Sequence, residues 1–154
     1  MWMQPELPEG FGERMAELGL AETYEASGWC FVESSVSAGV KHGDRRLNLS
    51  LRTDDAMGHA YGGDWQPDYC LNRVCSAQRQ PPRDPEWVVQ ELRTTKKFTG
   101  KGDVPVVEAL YRDYFEGVTS TATVLNFSGL QWSDAEAATL ASVLHHYTRL
   151  TQVC

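Results

Sequence analysis

The chain has 154 residues, 42% of them hydrophobic, which suffices for one compact domain or for two small pieces that lean on neighbours. Its formal charge of −7, from 21 acidic against 14 basic residues, argues against a nucleic-acid partner, because phosphate binding draws on clustered Lys and Arg. The one dense basic cluster, Arg93 to Lys101, is short and reads as a solvated loop. No apolar run approaches the roughly 18 residues of a membrane span, and "MWMQPELPEG" lacks the basic start and apolar stretch of a secretion signal. The expected location is therefore the cytoplasm, with no membrane partner.

The N-terminal stretch is punctuated by Pro5, Pro8, Gly10 and Gly12 and leads into a short amphipathic turn around Met15 to Leu20. In "GWCFVESSVSAGVKHGDRR" the apolar positions Trp29, Val32, Val36 and Val40 recur at three- and four-residue steps, and Gly43 follows as a stop signal. This predicts a helix with Trp29, Val32 and Val36 inside and Glu33 and Lys41 in solvent. Ser34, Ser35 and Ser37 are small enough to let that helix pack closely on a sheet. Leu47, Leu49 and Leu51 then alternate with polar residues, the pattern of a strand with one apolar side. Helix followed by strand predicts an α/β unit.

From Asp54 to Pro85, Gly58, Gly62, Gly63, Pro67, Pro81 and Pro82 interrupt any periodicity, which predicts a long excursion or linker. "GHAYGGDW" within it has neither the lysine nor the spacing of a phosphate loop. A helix is predicted from Asp103, taken as its N-cap, to Val118. Pro105 fits its first turn, Val104, Val107, Leu110, Tyr111, Tyr114 and Val118 form an apolar stripe, and Gly117 marks the end. Tyr111, Tyr114 and Phe115 at this spacing read as core rather than as an aromatic recognition box.

Thr123 to Phe127 is strand-like, Gly129 marks a turn, and Ser133 with Glu136 has the S-x-x-E form of a capping box. The helix that follows carries Ala137, Leu140, Ala141 and Leu144 on one predicted face. Ala122 and Leu150, and likewise Leu125 and Val153, stand 28 residues apart, so an apolar pattern restarts within the range of leucine-rich repeats. A second repeat is expected to begin at Leu150. It reaches Cys154 before any covering helix, so the sequence reads as part of a longer repeat protein.

Chemistry-bearing residues are few. Cys30, Cys70, Cys75 and Cys154 are sparse for this length and lack the dense spacing of a disulfide framework, so reduced thiols are expected. His59, Cys70 and Cys75 invite a zinc reading, but four residues separate the cysteines and no second ligand pair stands at comparable spacing. Cys30 with His42 or His59 would make a nucleophile pair only if the fold brought them together, and no local signature marks it. No catalytic, metal or cofactor residue is assigned, and no cofactor is implied.

"ATVLNFSGLQWSDAEAATLASVLHHYTRL" resembles the ribonuclease-inhibitor type of leucine-rich repeat, with Leu125, Phe127, Trp132, Leu140 and Leu144 in its apolar positions. It departs from that pattern with Leu130 at the turn asparagine and Glu136 at the glycine, departures that suit a capping repeat. The order of "WMQPELPEG", "YEASGWCFVESSVSAGVK", "FTGKGDVPVVEALYRDYF" and this repeat also resembles a segment of large algal and other protist repeat proteins. A shorter likeness joins "SGWCFVE" to the S-x-W-C-x-x-E stretch of Toll/interleukin-receptor (TIR) type domains. In the enzymatic members of that family the catalytic glutamate lies upstream of this stretch, so Glu33 inherits no role.

The resemblances imply an α/β chain of four segments. Residues 1–53 would be a partial, TIR-like α/β segment, 54–102 a linker, 103–118 a helix, and 119–154 a leucine-rich-repeat-like cap with the start of a second repeat. The implied function is a non-catalytic interaction or scaffold segment of a larger repeat protein, binding a protein partner through the repeat surface. The alternative is a fragment of a TIR-like nucleotide-processing enzyme without its upstream catalytic half.

Overall fold

The computed structural model describes residues 8–41, 46–48, 79–100, 102–130 and 132–154. The described elements are α1 (Phe11–Glu17), α2 (Gly28–Val40), α3 (Pro85–Thr94), α4 (Asp103–Thr121), β1 (Val124–Leu125), α5 (Asp134–Val143), a 3-10 turn (Leu144–His146) and β2 (Gln152–Val153). Among the described residues the only sheet is the parallel pair β1–β2, so the architecture is mixed α and β, with helix dominant. No described helix is long and apolar enough to cross a membrane.

α4 is the axis of the core. Its residues Val107, Tyr111 and Phe115 are buried at four-residue steps, and α2 packs on one side of it while α3 packs on another. Val32 from α2, Val88 and Leu92 from α3, Leu125 and Phe127 from the β1 region, and Leu140, Val143 and Tyr147 complete one continuous apolar cluster. The buried Glu108 on α4 accepts from Nε and Nη2 of Arg93 from α3, at 2.6 and 2.8 Å. A bidentate guanidinium is the partner that makes such a carboxylate tolerable inside.

Several expectations change. The linker assigned to 54–102 contains α3: Asp84 caps it by accepting from the Glu86 and Trp87 amides at 2.8 and 3.3 Å, and Pro85 occupies the first turn, where its missing N–H costs nothing. Arg93 and Thr94 belong to this helix, so the basic cluster is not wholly a solvated loop. The short amphipathic turn is the helix α1, which begins earlier, at Phe11, and ends before Gly19 at φ 69°. α4 has Gly102, not Asp103, in its cap position and runs through Gly117 to Thr121. The buried Thr119 beyond Gly117, bonded through its hydroxyl to the Phe115 carbonyl at 2.8 Å, keeps that last turn wound. The buried face of α5 is Leu140 and Val143 with Leu144 beside it, while Ala137 and Ala141 are exposed.

The side-chain placements also differ. Val32 is buried, Val36 is half-buried, and Glu33 and Lys41 are exposed as expected, but Trp29 and Leu110 face solvent. α2 packs against the helix α4 rather than on a sheet, and its small residues serve that approach: an added Cβ at Gly39 would stand 1.8 Å from Tyr114 Oη. At the other end of α2 an added Cβ at Gly28 would lie 1.9 Å from Phe98 Cζ. Leu47 is half-buried, and the rest of the strand expected through Leu49 and Leu51 lies outside the described residues, as does "GHAYGGDW".

After α4 the chain forms the strand β1, a turn and the helix α5 in that order. Gly129 turns the chain at φ 74°, and Asn126 Oδ1 accepts from the Ser128 amide at 3.0 Å. Glu136 accepts from the Ser133 amide at 2.9 Å and from its hydroxyl, completing a capping box. Those bonds from Ser133 hold the Glu136 carboxyl below the usual carboxylate range.

Two outcomes follow for the α2–α4 contact and the buried phenols. Gly39→Ala is expected to cost about 1–3 kcal/mol, since the new methyl meets a buried hydroxyl. Tyr114→Phe alone should be neutral or stabilising, because that hydroxyl is buried without a hydrogen-bond partner. In the Tyr114→Phe background the next ring carbon stands 3.1 Å from the added Cβ, so Gly39→Ala should cost less there. Urea unfolding of the four chains checks this; equal costs in both backgrounds would refute the contact.

The second outcome concerns alkali. Burial pushes Tyr114 up to about 12 and also raises Tyr111 and Tyr147. A phenol raised in the fold adds stability fully present below the unfolded value near 10, and that stability is lost as pH rises through the folded value. Absorbance at 295 nm should show these three phenols ionising only together with loss of helical circular dichroism. Complete tyrosine titration near pH 10 with the helices intact would contradict their burial.

Candidate functional site

Three features are candidates: a small pocket beneath α2, an open groove between α2 and α4, and the edge of the β1–β2 pair. The small pocket has a volume of about 140 Å³ and is lined by Tyr24, Cys30, Ser34, Arg46, Pro81 and Tyr111 among others. Arg46 is only 6% exposed and donates to Ser34 Oγ at 3.2 Å. Burial lowers its pKa and raises that of Tyr24, whose phenol is raised further by Glu33. The roof is fixed by Tyr111, whose hydroxyl donates to the Arg83 carbonyl at 2.9 Å and accepts from the Arg83 amide at 3.1 Å. Both polar groups of one backbone residue are thus satisfied by a single side chain.

The stretch resembling TIR domains does not converge on this pocket. Cys30 lines it half-buried, while Glu33 is exposed on a different face of α2 and lines the groove. Trp29 points outward and donates its indole N–H to Asp103 at 3.0 Å. Ser27 stands in the cap position of α2 without a side-chain cap bond. Ser35 donates to the Phe31 carbonyl of its own helix at 2.8 Å, a structural use of the hydroxyl. His42, His59, Cys70 and Cys75 lie outside the described residues. Among the described residues no group of three or more His, Cys, Asp or Glu side chains could hold a metal ion, and Cys30 and Cys154 are free thiols.

At the repeat-like end, β1 and β2 pair in parallel with Val124 opposite Gln152 and Leu125 opposite Val153. The Thr151 amide and hydroxyl both donate to the Thr123 carbonyl, at 2.8 and 2.9 Å, across the same separation of 28 residues. The Cys154 amide donates to the Leu125 carbonyl and the Phe127 amide to the Cys154 carbonyl, at 2.9 and 2.8 Å. Cys154 therefore turns both backbone groups toward β1, and alternation turns those of Val153 outward, to an edge where its side chain is half exposed. All five apolar positions of the repeat pattern lie in or against the core: Leu125, Phe127 and Leu140 are buried, and Trp132 and Leu144 pack on them.

Arg79 ties this end to α2, a link with no sequence signature. Its guanidinium donates to the Gly39 carbonyl at 2.7 Å and to the Asn126 carbonyl at 3.0 Å, and lies 4.9 Å from the centre of the Phe127 ring. A cation at the last carbonyls of a helix is favoured by the helix dipole. The Arg79 carbonyl in turn accepts from the Trp132 indole at 3.1 Å. Sequence reasoning also missed the groove, because Trp29 and Leu110 sit at spacings that a core stripe would use equally well. Comparison with protein-family models, with curated proteins and with solved structures finds no match to this chain.

Proposed function

We propose that the chain is a non-catalytic protein-interaction segment, built on a leucine-rich-repeat-like unit that belongs to a larger repeat protein. The observation that carries this reading is the register of β1 and β2. The apolar period of 28 residues in the sequence coincides with the spacing at which Leu125 and Val153 pair. Parallel strands related by one sequence period, with a turn and a helix between them, are the repeating unit of a solenoid. The outward backbone groups of Val153 and its half-exposed side chain supply an edge onto which the next strand adds, and such an array offers its surface to a protein.

A fusion experiment tests this. Consensus ribonuclease-inhibitor-type repeats of 28 residues, joined after Cys154 in register, are expected to melt with the chain in one transition at a higher temperature. Moving the junction by one residue turns every side chain of the added strand to the wrong face, and that fusion should gain nothing. Two separate melting transitions, or equal gain from both junctions, would set the repeat reading aside.

A further inference from the structure

α2 and α4 share a buried contact and diverge outward into an open groove of about 540 Å³. Trp29, Val36 and Val40 form one wall, and Leu110 and Tyr114 the other. Trp29, Leu110 and Val40 are 43%, 49% and 54% exposed, and Val106, one turn before Leu110, is exposed as well. Apolar side chains gathered in a concave strip, rather than scattered singly, mark a contact surface. From Trp29 to Val40 the α2 wall runs eleven residues, roughly 16 Å at the helical rise, or three turns.

Acidic groups stand at three points around the groove. Glu33 is exposed within its lining, and Asp103 closes the Trp29 end by accepting from the indole. Helical spacing sets the exposed Asp113 beside Leu110 on the outer side of α4. Among the described residues of the lining, Lys41 at the opposite end is the one cation and Glu33 the one anion. A second copy of this chain, itself at −7, would meet like charge here.

We propose that this groove docks an amphipathic helix of a partner protein, with apolar side chains at i, i+3 or i+4, and i+7 and with Lys or Arg on its flanks. The apolar residues cover Trp29, Leu110 and Val40, and the flanking cations meet Glu33 and Asp113. This is helix-in-groove recognition, in which apolar anchors supply affinity and rim charges choose the partner. The surface is separate from the β2 edge and stands whether or not the repeat reading does.

The test uses the whole chain and two labelled 14-residue helical peptides that share Leu at i, i+4 and i+7 and differ only in Lys or Glu flanks. Fluorescence anisotropy at low salt should show the Lys peptide binding at least tenfold tighter than the Glu peptide. Leu110→Ser should weaken that binding about tenfold, and the pair Glu33→Lys with Asp113→Lys should reverse the order of the two peptides. Leu110 is half exposed, so the variant should melt as the parent does. If it does not, Val40→Ser at the other wall gives the same readout. No binding of the Lys peptide, equal binding of both, or indifference to the groove substitutions would overturn the proposal. So would sedimentation showing a dimer that Leu110→Ser dissolves, since the occupant would then be a second copy.

Discussion

Every described contact of consequence leans on the buried stripe of α4. Val107, Tyr111 and Phe115 offer one apolar ridge, and α2, α3 and the β1–α5 unit bury their own apolar residues by reaching it. α3 is pinned to that ridge at two depths, through Val88 and Leu92 in the core and through Arg93 on Glu108 at its margin. The ion pair matters less as a source of stability than as a constraint. A buried carboxylate without its guanidinium would be costly, so the rotation of α3 about its own axis is fixed.

The strand pair depends on that ridge indirectly. Two residues on each side make far too short a ladder to persist alone. It is held by bonds just outside the strands, by Leu125 and Phe127 in the core, and by Arg79 drawing the Asn126 carbonyl toward the end of α2. The Phe127 and Trp132 rings, 4.4 Å apart, close the turn between strand and helix. The groove and the β2 edge are thus two margins of one core, each left where α2 or the last strand has no further neighbour among the described residues.

Features governed by local chemistry were legible in the sequence. The span of α2, the Ser133–Glu136 capping box, the turn at Gly129 and the 28-residue spacing all follow from neighbours along the chain. α3 was masked by its surroundings, because Pro81 and Pro82 read as a linker although Asp84 and Pro85 are a sound helix start. Periodicity could not say which side of a broad apolar stripe meets the core. Trp29 and Leu110 lie within the helical stripe, yet tertiary packing turns them outward. Gly117 failed as a stop because propensity is weak against a buried Thr119 two residues on. The Arg79 links join residues 40 and 47 positions away, and nothing local announces such pairings.

The way α2 is fastened bears on the order of assembly. Contacts among α3, α4, β1, α5 and β2 join segments close in sequence, whereas α2 is attached through the Ser27–Lys97 bridge and a Trp29–Asp103 bond that spans 74 residues. Closing so long a loop brings an entropic cost before any contact is gained, and the burial of Val32 and the packing of Gly39 on Tyr114 offset it only once α4 is in place. The C-terminal half can therefore act as the template that nucleates first, with α2 condensing onto a surface already formed. In the native state the same asymmetry lets α2 detach without undoing the contacts among α3, α4, α5 and the strands, so the groove opens with the loss of one helix rather than of the whole core.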